Sequence, residues 1–110
     1  MVGQELDSEQ IGALVRANEL QRCLNAATHY LSYRPRSEFE LRKRLKRRGF
    51  DSDSVEPVLS KLREQGLVND VEFARFWQDN RQTFSPRSAA LTRLELRRKG
   101  VADEIISEVI

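Results

Sequence analysis

Arg36, Arg42, Lys43, Lys46 and Arg47 stand within twelve consecutive positions, and Arg87, Arg93, Arg97 and Arg98 repeat four of them 51 residues later. Guanidinium and ammonium groups hold their protons near neutral pH. What they offer is charge and hydrogen-bond donors for phosphates and carboxylates. Binding a polyanion is therefore the chemistry open to them. Catalysis has no comparable set. The one histidine, His29, adjoins Tyr30 in a helical pattern and reads as structural. The one cysteine, Cys23, lies in an apolar helical stripe and reads as a buried thiol, which suits a reducing cytosol. A single Cys and a single His exclude the usual zinc arrangements. The five glycines are isolated and three of them end helices, so no Gly-rich loop cradles a phosphate. Carboxylates read as helix caps and solvated faces. A non-enzymatic chain is expected, without metal or cofactor.

The elements that position the basic residues carry clear local signals. Arg34-Pro35 breaks the preceding helix, because the residue before proline is pushed out of the α region. Ser37 and Glu40 then form a capping box, and Gly49 ends the helix in the left-handed conformation. Leu41 and Leu45 dock this helix, leaving most of its cations outward. Ser88 opens the second copy behind Pro86, and Gly100 closes it.

Around these two helices the apolar spacing is helical throughout. Asp7 or Ser8 caps a short first helix with Ile11, Leu14 and Val15, which Asn18 interrupts or recaps. A second helix covers Glu19 to Ser32. A third, capped by Asp53 or Ser54, keeps Pro57 in its first turn and ends at Gly66. Asn69 caps a fourth, with Phe73, Trp77, Asn80 and Phe84 on one stripe. Asp103 caps the last, which carries Ile105, Ile106, Val109 and Ile110. The expected fold is all-α: tandem three-helix repeats forming a helical array, the second repeat truncated. The expected units are an N-terminal extension (1–18), repeat one (19–68) and repeat two (69–110). The chain reads as a fragment.

Net charge is only +2, but its distribution is uneven. Residues 34–48 hold eight basic and two acidic side chains, and residues 75–99 hold seven and two, while 51–72 hold two and six. Such alternation presents a cationic face on a nearly neutral protein. The copies differ where Phe39, Glu40 and Lys43 become Ala90, Leu91 and Leu94. These apolar replacements predict that the second basic helix is packed on two sides, against a neighbouring repeat or something missing from this chain, and that the first is the more open cationic surface. No apolar run approaches the ~20 residues of a membrane span. A cytoplasmic monomer is expected.

The run Tyr30-Leu31-Ser32-Tyr33-Arg34-Pro35-Arg36-Ser37-Glu38-Phe39-Glu40-Leu41-Arg42-Lys43-Arg44-Leu45, followed by Arg48-Gly49-Phe50, resembles the RecX family, regulators of the RecA recombinase. Leu67-Val68-Asn69-Asp70-Val71-Glu72-Phe73-Ala74-Arg75 and Glu95-Leu96-Arg97-Arg98-Lys99-Gly100-Val101 continue the likeness at the expected separation. The resemblance implies an array of three-helix repeats bound in the groove of a RecA–DNA filament. It implies modulation, usually inhibition, of filament growth, ATP hydrolysis, strand exchange and co-protease activity, in DNA recombination and repair. The expected partners are thus the RecA filament and, weakly and with salt sensitivity, single- and double-stranded DNA. Two other readings compete: a helix-turn-helix-type duplex DNA-binding protein, and a protein-interaction scaffold whose charge only maintains solubility.

Overall fold

The structure, a computed structural model, describes residues 7–84 and 88–110, with side chains for all of these except 82–84. At its N-terminal end Asp7 accepts a hydrogen bond from the Gln10 backbone N–H at 2.8 Å. The Gln10 side chain accepts from Asp7 N at 2.9 Å, completing a capping box. It starts a 26-residue helix, α1 (Ser8–Tyr33). The break expected at Asn18 is absent, so the first two expected helices are one. Asn in a helix interior costs only a fraction of a kcal/mol relative to Ala (up to about 0.7), too little to stop a helix without Gly or Pro beside it.

Five further helices follow: α2 (Glu38–Arg47), α3 (Ser52–Glu64), α4 (Asp70–Phe84), α5 (Ala89–Arg98) and α6 (Asp103–Val109). The described residues contain no strand. Ser37 and Glu40 make the expected box: Ser37 Oγ accepts from Glu40 N at 3.1 Å, and Glu40 Oε1 accepts from Ser37 N at 3.2 Å. At the other end Phe50 N donates to Leu45 O and Gly49 N to Lys46 O, a Schellman motif with Gly49 at φ 108°. Val101 N and Gly100 N repeat the pattern against Leu96 O and Arg97 O.

Two caps differ from expectation. Asp51 caps α3, accepting from Ser54 N at 3.2 Å, so the helix begins earlier and Pro57 lies in its second turn. A proline there forgoes one backbone hydrogen bond to the carbonyl four residues back. Ala102, without a side-chain cap bond, precedes α6, because the Asp103 carboxylate is engaged by Arg97 at 2.9 Å. Asn69 caps α4 as expected, accepting from Val71 N and Glu72 N.

Each repeat buries its own core. The first joins Cys23, Ala27 and Tyr30 of α1 to Leu41 and Leu45 of α2 and Val55, Val58, Leu59 and Leu62 of α3. The second joins Phe73, Ala74, Leu96, Val101 and Ile106, with Trp77 and Val109 against them. A 51-residue shift carries Cys23, Ala26, Leu45, Phe50, Val55 and Val58 onto Ala74, Trp77, Leu96, Val101, Ile106 and Val109. Leu41 maps to Thr92, buried with its hydroxyl donating to Ser88 O at 3.3 Å. The repeat is thus one of packing as well as of sequence.

Among the described residues nothing covers a second side of the second basic helix. Leu91 and Leu94 remain 36% and 39% exposed. The substitutions between the copies do mark an inter-repeat contact, but the first copy makes it. Ser37 is fully buried there, its Oγ donating to Lys99 O at 2.6 Å. Asp70 of the second repeat accepts from Glu38 N at 2.9 Å, satisfying a donor of the first turn of α2. Burial raises the Asp70 carboxyl above its ordinary value, with that hydrogen bond opposing.

A cationic groove between the repeats

Where α2 meets the C-terminal end of α5, a groove of about 340 Å³ opens. Arg34 and Arg36 come to it from the α1–α2 connector, Lys43, Arg44 and Arg47 from α2, and Arg98 and Lys99 from the end of α5. Among its described lining residues the only carboxylate is Glu40. That carboxylate is already used: it takes Arg34 in two hydrogen bonds of 2.9 and 3.3 Å and Lys99 at 3.0 Å. Burial alone would raise the Glu40 carboxyl, but hydrogen bonds from Arg34, Lys99 and Ser37 N outweigh it and hold the group below its ordinary value. The remaining cations of the groove have no acidic partner in its wall.

The depressed Glu40 carboxyl gives the junction a pH dependence. Its stabilising effect is complete above the ordinary carboxylate range and is lost as pH falls through the folded-state value. Asp70, raised rather than lowered, acts with the opposite sign. Glu40→Gln is therefore expected to flatten the acid limb of a stability-versus-pH profile followed by helical circular dichroism. An unchanged acid limb would show that Glu40 does not link the repeats.

The sequence-identified residues differ in where they lie and in what already engages them. Lys43, Lys46, Arg47 and Arg98 are exposed, and three of the four, Lys46 excepted, line the groove. Arg36 lines it half-buried, its Nε donating to Tyr30 O at 3.3 Å; burial, then repulsion from Arg34, lowers its proton affinity. Arg42 and Arg97 are engaged within the protein. Arg42 pairs in two bonds of 2.8 and 3.0 Å with Glu56 of α3 and approaches Glu38 at 3.6 Å, and Arg97 pairs with Asp103. Arg93 is half-buried on α5 outside the groove, and Arg87 lies outside the described residues, as do Pro86 and the Phe84 side chain.

Sequence reasoning missed Arg34, Arg44 and Lys99. Arg44 stacks over the Tyr30 ring at 4.8 Å, and Arg48 donates to the Tyr30 hydroxyl at 3.1 Å. Shifted by 51 residues, the Tyr30–Arg44 contact becomes Arg81–Glu95, a two-bond ion pair of 3.1 and 2.7 Å. Chemically different pairs thus occupy one packing position, and only the first leaves a cation on the surface. The signal available in the sequence was Glu40 itself: one of two carboxylates amid eight cations, and the one that becomes Leu91 in the other copy.

Among the described residues that line the groove there is no Ser, Cys or His. Cys23 is buried, and burial, with Glu19 and Asp51 adding repulsion, pushes its thiol up to about 11. Among the described residues no group of His, Cys, Asp and Glu could hold a metal ion, and no helix is long and apolar enough to cross a membrane.

The pattern described as "RecX, first three-helix domain" matches residues 23–62, and "RecX, second three-helix domain" matches residues 69–110. The regulatory protein RecX of Amycolatopsis mediterranei is 46% identical over 78 residues, covering 71% of this chain and 45% of that protein. The regulatory protein RecX of Halalkalibacterium halodurans is 35% identical over 104 residues, covering 94% of this chain and 39% of that protein. A crystal structure of regulatory protein RecX superposes with a TM-score of 0.87 at 32% identity, covering 99% of this chain and 54% of that one. This chain spans about half the length of these relatives or less. Both three-helix units, in order and each with its own core, place the chain in the RecX family.

Proposed function

We propose that this chain is the part of a non-enzymatic RecA regulator that docks in the groove of a RecA–DNA filament and restrains it, acting as a monomer in the cytoplasm. The observation carrying this reading is the inter-repeat groove, where seven cationic side chains face one carboxylate already engaged. Lys43, Arg47 and Arg98 meet acidic recombinase surface or DNA phosphate, with Arg36 behind them. Lys46 and Arg93 extend the cationic face beyond the groove. Arg42 and Arg97 act at second hand, holding α2 to α3 and α5 to α6.

The helix-turn-helix alternative places the N-terminal residues of a recognition helix against base edges. Here the start of α2 is closed off by Lys99 and Asp70, which argues against it. The test measures binding to bare duplex, bare single strand and preformed RecA–single-strand filaments at low and moderate salt, alongside filament ATPase rate. Preference for the filament with a reduced ATPase rate is expected. Tighter, sequence-selective binding to bare duplex refutes the reading.

A further inference from the structure

Phe39 is 44% exposed in a helix whose other apolar residues, Leu41 and Leu45, are fully buried. Its ring lines the inter-repeat groove. One side is fixed by the second repeat: a Cβ placed on Gly100 would lie 2.3 Å from Phe39 Cβ and 2.5 Å from Cγ. Packing accounts for that side alone. The rest of the ring is open in a groove whose walls carry Lys43 and Arg47 on one helix and Arg98 on the other. An acidic protein surface would be served by the cations without an exposed ring among them. A strand of unpaired nucleotides uses both, since its phosphates seek the cations while a base lays its π-face on the aromatic.

We infer that the groove is a single-strand nucleic-acid site, in which Phe39 stacks a base while Lys43, Arg47 and Arg98 hold the flanking phosphates. Duplex is a poor fit, because its bases already stack on one another and present no free face. The site does not read sequence, as every base has a π-face. The inference shares its groove with the proposed filament docking but stands on bare oligonucleotide, without recombinase.

The experiment compares four probes by fluorescence anisotropy on the chain as it stands: oligo-dT, an abasic oligonucleotide of equal length, a duplex, and polyglutamate of equal charge. Oligo-dT is expected to bind about tenfold tighter than the abasic strand, the size of one stacked base. Phe39→Leu, which keeps an apolar side chain against Gly100, should remove that preference while leaving abasic binding within about twofold; Phe39→Trp should retain it. Equal affinity for dT and abasic strands, persistence of the preference in Phe39→Leu, or polyglutamate binding as tightly as oligo-dT overturns the inference. The comparison of dT with the abasic strand needs no variant, so a misfolded mutant cannot mask the outcome. Filament ATPase rates on the same preparations separate the two ideas. In the unsubstituted chain, absence of a base preference with ATPase suppression intact defeats only the stacking site, and a base preference without suppression defeats only the filament reading.

Discussion

Lys43→Glu, Arg47→Glu and Arg98→Glu combined are expected to weaken binding to the RecA filament at least about 100-fold and abolish ATPase suppression, with helicity unchanged. Each neutralised phosphate contributes through counterion release, and a reversed charge adds repulsion to the contact it removes. The three residues approach one groove from two helices and are solvent-exposed, so their reversal disturbs no core residue. The comparison variant, Lys61→Glu, reverses one charge on the exposed surface of α3, away from the groove, and is expected to change binding far less. Wild-type-like suppression by a folded triple variant would remove the groove from the mechanism. Arg42→Gln separates charge from position: the residue is cationic and on the same helix, but it is tied to Glu56. Its loss should cost at most about 1 kcal/mol of stability, as for a partly exposed ion pair, and alter binding much less than the triple change.

The second large effect belongs to Gly100. Gly66 and Gly100 have nearly the same backbone, φ 74° and 79°, yet only Gly100 has a neighbour where a Cβ would go. Alanine at either position bears the left-handed strain, about 1–2 kcal/mol. At Gly100 it also meets Phe39 Cβ at 2.3 Å, and overpacking of this kind costs a further 1–3 kcal/mol or so. Gly100→Ala is therefore expected to destabilise by about 2–5 kcal/mol against about 1–2 for Gly66→Ala, measured by urea denaturation. Equal losses at the two sites would mean that the repeats do not close on each other through Phe39. The same displacement would move Lys99 and Arg98 relative to α2, so Gly100→Ala should also weaken filament binding although it removes no charge.

Much of the architecture is written in short-range patterns. Ser37 with Glu40, Asn69 before α4, and Gly49, Gly66 and Gly100 at helix ends act within a few residues, and such motifs can be read without knowing what surrounds them. The 51-residue repeat was legible for the same reason, because identical local instructions recur. Where the reading failed, a local signal was weak or a distant group intervened. Asn18 is too mild a helix breaker to end α1. Asp103 is drawn from its capping role by Arg97, six residues earlier in the chain. The replacements of Phe39, Glu40 and Lys43 are visible in the sequence, but one chain cannot say which copy of a repeat faces the interface. The structure gives that contact to α2 and leaves Leu91 and Leu94 open.

For the cationic residues the division is sharper. Sequence alone determined that two capped helices rich in Arg and Lys exist and that leucines dock them, and it made polyanion binding the chemistry to expect of them. Tertiary structure decided which charges remain available. Arg42 is occupied by Glu56 fourteen residues away, and Glu40 holds Lys99 from fifty-nine residues away. Arg34, Arg44 and Lys99, unremarkable in the sequence, become walls of the groove. The physical reason is range: a helix cap is settled within one turn, whereas a long charged side chain takes its partner from whatever element packing brings within about 4 Å.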